Sequence, residues 1–226
     1  MERKGRIYRA VFVSILTVAL AFTVLLGCAQ FDAPAYTQAV LDVIYKNQCE
    51  GYTELTGASQ QEAEAIFQKN LDATMNEFKT LKLPETLENN YSMLFKDVVQ
   101  QVHYTVGEAV ETEDGNYRVA VSVEPMLLFD DTYETFQEET KAYAESITDS
   151  VMSGGEMPGE EEIENQVYQL YYDILQSAVD AGVRYGEAQN VIIHINRMED
   201  GTYEIPKEEI GKLNLCLISR EKLQNS

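Results

Sequence analysis

The stretch VHYTVGEAVETEDGNYRVAVSVEP, residues 102–125, is where the hydrophobic period of the chain changes. Val102-His103-Tyr104-Thr105-Val106 alternates, and so does Tyr117-Arg118-Val119-Ala120-Val121-Ser122-Val123. A period of two marks a strand with one buried face. Between the two runs, Glu113-Asp114-Gly115-Asn116 carries the Asp-Gly pair, which gives a tight hairpin its positive φ. Pro125 cannot donate to a ladder and stops the second strand. An antiparallel hairpin therefore stands between stretches that are helical in period.

N-terminal to the hairpin, three helices are expected. Pro34 to Leu55 repeats Tyr36, Val40, Val43/Ile44 and Asn47 at three-four spacing; Pro34 suits a first turn and Gly57 a stop. Ser59-Gln60-Gln61-Glu62 is a capping box ahead of a helix with Ala63, Ile66, Phe67, Asn70, Leu71, Thr74 and Phe78 on one face. Pro84 opens a third helix that turns Leu87, Tyr91, Leu94/Phe95 and Val98 inward.

C-terminal to the hairpin, helical period returns over Tyr133 to Val151, through Phe136, Thr140, Tyr143/Ala144 and Ile147. The acidic loop SGGEMPGEEE follows. Glu160 to Glu162 then sit at the start of a helix, where the dipole favours negative charge. That helix carries Ile163, Val167, Leu170/Tyr171, Ile174 and Ala178 and ends near Gly182. A second hairpin runs from Val191 to Ile195, turns at Asp200-Gly201 and returns over Tyr203 to Ile205. After Pro206, a short helix through Ile210, Leu213 and Leu217 is expected in preference to a last strand.

The expected fold class is therefore α+β: helices packed on one face of an antiparallel sheet made of two hairpins. The motif EDGxYx followed by Val or Ile occurs twice, from Glu113 and from Glu199. Duplication of a helix-helix-hairpin unit and convergent turn chemistry both account for it.

The N-terminus reads differently. MERKGRIYR holds Arg3, Lys4, Arg6 and Arg9, and an apolar segment from Ala10 to Leu26 follows. This is a charged n-region and an h-region. The segment is short for a bilayer span of about 20 residues, and no cationic stop-transfer cluster follows it. Leu25-Leu26-Gly27-Cys28 comes next and resembles the lipobox of bacterial lipoproteins. The resemblance implies diacylglycerol on the Cys28 thiol and cleavage before it. Residues 1–27 are then a lipoprotein signal peptide, 28–33 a short tether and 34–226 a single α+β domain. The expected location is the cell membrane, lipid-anchored on its extracytoplasmic face. Two or three acyl chains anchor stably, at about 0.8 kcal/mol per buried methylene. The spacer AQFDA spans at most about 18 Å.

The later chain is similar to exported lipoproteins of unknown function from clostridia-like Gram-positive bacteria. The similarity runs through Tyr45-Lys46-Asn47-Gln48, Tyr52-Thr53-Glu54-Leu55-Thr56-Gly57, Ser59 with Glu62, and the two EDGxY turns. It implies a cone similar to nuclear-transport-factor or cystatin domains and carries over no catalytic residue.

Charge bounds the partners. The net charge is −21. Removing residues 1–27 takes away four cationic groups and Glu2, which brings the 199-residue remainder to −24. Nucleic acid needs a basic footprint, so it is excluded as a partner. Beyond the membrane, reached through the lipid on Cys28, a protein, a peptide or a cationic ligand remains open. Cys49 and Cys216 form either a long-range disulfide or two separate thiols, and neither has zinc-site spacing.

Signatures of chemistry are sparse. Only His103 and His194 could serve as imidazole bases. Each lies in a strand out of phase with its Val and Ile neighbours, either as a base or ligand on a polar face or as a plain strand histidine. No GxSxG, HExxH, P-loop or EF-hand pattern occurs, so no catalytic residue, metal site or cofactor is assigned. Tyr168, Tyr171 and Tyr172 are the candidate ligand-binding residues, since aromatic faces with polar tips suit sugars, peptides or cations; packing on the sheet is the alternative. The expected function is an anchored extracytoplasmic lipoprotein with a non-catalytic binding or interaction domain. The alternatives are an extracytoplasmic hydrolase using carboxylates and a structural subunit of an envelope assembly.

Overall fold

A computed structural model describes residues 31–78 and 81–224. Helix α1, Ala33–Leu41, starts on an Asp32 cap whose side chain accepts the Ala35 N–H at 2.9 Å. It continues as a π-helical turn, Asp42–Lys46, and stops at Asn47, whose φ of 54° is left-handed. Helix α2 is Glu50–Thr56, closed by Gly57 at φ 72°. The single helix expected over Pro34 to Leu55 is thus two. Asparagine tolerates the left-handed region and breaks the run where a branched residue would not.

Helix α3, Gln60–Phe78, begins with the expected capping box. The Ser59 N–H donates to Glu62 Oε2 at 2.8 Å, and the Glu62 N–H donates back to Ser59 Oγ at 3.3 Å. Ala63, Ile66, Phe67, Leu71 and Thr74 of its apolar stripe are buried; the Phe78 side chain lies outside the described residues. Asn70 Nδ2 donates to the Ile44 carbonyl and so satisfies a buried acceptor beside the π turn. Helix α4, Glu85–Gln100, buries Leu87, Tyr91, Leu94, Phe95 and Val98 as its period requires.

Strands β1, His103–Glu111, and β2, Tyr117–Glu124, form the first hairpin. A bulge shifts their register between Val106 and Ala109. Gly107 sits at it: a Cβ there would lie 3.3 Å from the Ala120 carbonyl oxygen. Helices α5, Leu128–Met152, and α6, Glu160–Ala181, follow as an antiparallel pair. Strand β3, Gln189–Arg197, two-residue β4, Tyr203–Glu204, helix α7, Lys207–Leu217, and α8, Glu221–Gln224, complete the order.

The four strands form one antiparallel sheet in the order β1-β2-β3-β4, and the fold is α+β. Tyr117, Val119, Val121, Val123, Ile193 and Ile195 are buried on one face. Arg118, Glu124, Ile192, His194 and Asn196 are exposed on the other. The helices therefore cover one face, with α1 and α7 against the strands.

Helix α5 starts five residues before the expected Tyr133. Pro125 to Leu127 is tied into the fold first: Met126 N–H donates to the Leu217 carbonyl, Leu127 N–H to Arg184, and Pro125 O accepts from Gly186. Leu128 and Phe129 then enter the core. Further along α5, Ala144 and Val151 are exposed, although their spacing had suggested an inward face.

The packed domain also begins earlier than Pro34. Phe31 and Ala33 are buried, at 8% and 1% exposure. Phe31 joins a cluster with Tyr36, Tyr117 and Tyr203. The two EDG turns adopt the same bonds. Gly115 (φ 77°) donates to Thr112 O, and Gly201 (φ 84°) to Met198 O. They lie side by side at one end of the sheet, where Arg197 N–H donates to Asn116 Oδ1 at 2.7 Å. Cys49 and Cys216 are both free thiols, so the disulfide alternative is set aside.

Candidate functional site

At the sheet end opposite the turns, β1 begins and β2 finishes. His103 faces Glu124 across the ladder, and Thr105 faces Ser122. His103 Nδ1 lies 3.0 Å from Glu124 Oε2. Its ring stacks on Tyr185, with centroids 3.7 Å apart and planes 8° from parallel. Tyr185 is held in turn by donation of its hydroxyl to the Gln101 carbonyl at 2.5 Å.

The π turn of α1 reaches the same place. Asp42 and Lys46, at its two ends, both reach Tyr104. The Tyr104 hydroxyl donates to Asp42 Oδ1 at 2.5 Å, and Lys46 Nζ sits 4.5 Å from the ring centroid. Burial, then the bond to Asp42, push the Tyr104 phenol well above its ordinary pKa. Together Lys46, His103, Thr105, Ser122 and Glu124 line a polar pocket of about 170 Å³. That is below the roughly 300 Å³ at which small-molecule sites begin, so the pocket suits only a very small polar guest.

A larger groove, about 500 Å³, runs between α5 and α6. Leu170, Ile174 and Ala178 form its apolar floor, and Asp131, Glu139 and Asp173 stand along it. The Asp131 carboxylate is shared with Arg184 through a bidentate pair. The groove falls within the size range of ligand sites, and its combination of apolar floor and carboxylates matches a cationic ligand with an apolar stem.

The tyrosines singled out in the sequence lie near this groove but not in it. Tyr168 and Tyr171 are buried in the core, and Tyr172 is half-buried. The Tyr168 carbonyl accepts from the Tyr91 hydroxyl at 2.7 Å. The Tyr171 ring meets Phe136 at 4.6 Å, and the Tyr172 ring meets Tyr91 edge-on at 5.5 Å. Tyr171 thus packs on α5 and Tyr172 on α4, while Tyr168 is buried in the core. Leu170, Ile174 and Ala178 share the helical spacing of the buried Val167, Tyr171 and Leu175, so nothing in the sequence separates these groove residues from a core stripe. Sequence alone carried no signal for Tyr185 or Lys46; both arrive from distant segments.

His194 is placed apart from His103. Its backbone N–H and Nδ1 both approach Glu209 Oε2, at 3.1 and 3.0 Å, so a carboxylate from α7 completes an unpaired ladder position of β3. Glu209 is buried and also accepts from Lys212 Nζ at 2.5 Å. Burial by itself would raise the Glu209 pKa; the bonds from Lys212 and His194 outweigh it and hold it below the usual value. Among the described residues, no three His, Cys, Asp or Glu side chains converge on a metal position, and no helix is long and apolar enough to cross a membrane. Cys28 lies outside the described residues.

No protein-family model matches the chain, and no curated protein matches it in sequence. The fold does have a counterpart among solved structures, with a TM-score of 0.55 over 83% of this chain. That counterpart is a candidate lipoprotein, ycdA, from Bacillus subtilis. The identity is 13%, so the likeness is one of fold, and the matched region spans 56% of the neighbour's length.

Proposed function

We propose that this chain is an extracytoplasmic lipoprotein, anchored to the cell membrane through lipid on Cys28, whose domain binds a cationic ligand in the groove between α5 and α6. The observation that carries the anchor is the lipobox-like Leu25-Leu26-Gly27-Cys28 behind a cationic and then apolar N-terminal segment. Leu25-Leu26-Gly27-Cys28 ends three residues before the buried Phe31. A processed chain would therefore begin almost at the domain wall. The fold neighbour, itself described as a candidate lipoprotein of a Gram-positive bacterium, supports the same reading.

The binding half rests on charge and shape. The groove offers Glu139 and Asp173 beside an apolar floor in a strongly acidic chain. A lysine-rich peptide fits that chemistry: its ammonium groups meet the carboxylates and its methylene stems cover the floor. Exposed ion pairs contribute about 0.2–1 kcal/mol each, so each carboxylate should account for about a 1.4- to fivefold difference in affinity.

Three experiments test the proposal. In cells, Cys28→Ser should abolish incorporation of radiolabelled fatty acid and leave unprocessed precursor; continued labelling would remove the anchor. In calorimetry, Glu139→Gln with Asp173→Asn should weaken binding of a lysine-rich peptide, and unchanged affinity would remove the groove. Turnover of a peptide or wall fragment, lost in His103→Ala, would replace the binding reading with a hydrolytic one.

A further inference from the structure

The packing of Phe31 fixes which end of the domain the N-terminal tether leaves from. Its ring stacks on Tyr203 at 3.8 Å and lies 5.3 Å from Tyr117. Tyr117 and Tyr203 each open the second strand of a hairpin, immediately after an EDG turn. Phe31 is therefore docked at the turn end of the sheet.

Only Ala29 and Gln30 separate Phe31 from Cys28. Three residue steps reach at most about 11 Å even when fully extended. The headgroup layer of one leaflet is itself about 5–7 Å thick. A lipid on Cys28 thus leaves the turn end no room to stand away from the surface.

We propose that the turn end of the sheet faces the bilayer, with Val110 and Met198 at the headgroup layer, and that the pocket beside His103 is held at the far end. The occupant of this surface is the membrane leaflet that carries the chain's own lipid, so the inference rests on the anchor reading above. Val110 and Met198 are 55% and 41% exposed, Val110 two residues ahead of the first turn and Met198 opening the second. Glu113, Asp114, Glu199 and Asp200 share this end and are repelled by anionic lipid by about 1 kcal/mol per charge near the surface. Contact is imposed by covalent length rather than by attraction. From Tyr117 to Glu124 the strand runs seven residue steps, about 23 Å at ~3.3 Å each. The pocket lined by His103 and Glu124 is thus presented well clear of the lipid.

The chain contains no tryptophan, so one introduced indole reports alone. Glu199→Trp places it in the second turn, and Glu187→Trp places it beside Pro125 at the opposite end. The processed full protein is assayed for its acyl groups by mass spectrometry and reconstituted into phosphatidylcholine vesicles bearing a nitroxide on the headgroup. Fluorescence of Glu199→Trp should be quenched several-fold more than that of Glu187→Trp. A long Gly-Ser spacer inserted between Gln30 and Phe31 should remove the difference. Acylated protein quenched equally at both positions, or more at Glu187→Trp, overturns the orientation and leaves the anchor standing. A Cys28 without acyl groups overturns both.

Discussion

Phe31 and Tyr203 stack face to face, with ring planes 5° apart, across 172 residues of sequence. The contact ties the first of the described residues to the last strand of the sheet. It also places Phe31 beside both hairpin turns.

Phe31→Ala should therefore destabilise the domain by about 3 kcal/mol, at the low end for a buried phenylalanine, because the ring sits at the domain edge. Phe31→Leu should recover about half of that. Urea unfolding monitored by circular dichroism gives both values, and a loss under about 1 kcal/mol for the alanine variant would show that the ring is dispensable.

Asn47 terminates the π turn in the left-handed region. Asn47→Ala should cost up to about 1 kcal/mol, because alanine keeps the left-handed Cβ penalty and loses the short polar side chain whose local bonding offsets it. Asn47→Gly, free of that penalty, should cost less than Asn47→Ala. Chemical denaturation of the two variants side by side checks the order, and the reverse order would mean that the left-handed backbone at residue 47 does not limit stability.

Tyr36, Tyr45, Tyr91 and Tyr104 are buried phenols whose pKa values are raised, first by burial and, for Tyr104, next by the bond to Asp42. A raised folded pKa contributes stability that is complete below the unfolded value, near 10, and is lost as pH climbs above it. Stability should therefore fall steeply above about pH 10. Phenolate absorbance of these four, among 14 tyrosines, should appear only together with unfolding. Full tyrosine ionisation in a still-folded protein would contradict the burial.

Glu209 works with the opposite sign. Its pKa is lowered in the fold, the bonds from Lys212 and His194 overcoming the effect of burial. Its contribution is present above the unfolded value, about 4.3, and disappears as pH falls through the lower folded one. Glu209→Gln should cost about 1–3 kcal/mol at neutral pH, since it weakens charge-assisted bonds to His194 and Lys212. The variant should also lose stability less steeply than the native chain below about pH 4. Parallel acid slopes for the two proteins would remove Glu209 from the account.

Much of the fold was legible because local rules and tertiary packing agreed. The Ser59–Glu62 capping box, the turns at Gly115 and Gly201, and the burial of Val119, Val121, Val123, Ile193 and Ile195 all follow from spacing and turn chemistry. Spacing misled where packing chose among equivalent faces. Ala144 and Val151 keep helical period, yet α5 leaves them exposed. Leu170, Ile174 and Ala178 keep it too, and they line a groove.

From its sequence alone this protein was determined as an acidic α+β chain with two like hairpins behind a lipobox-like cysteine, because period, caps and Asp-Gly turns act over a few residues. Only the tertiary structure decided the strand order, the docking of Phe31 on Tyr203, the meeting of Lys46, His103 and Tyr185, and the groove between α5 and α6. Those are contacts between segments tens to hundreds of residues apart, and their pairing is settled by shape and burial across the whole core, which no local pattern encodes.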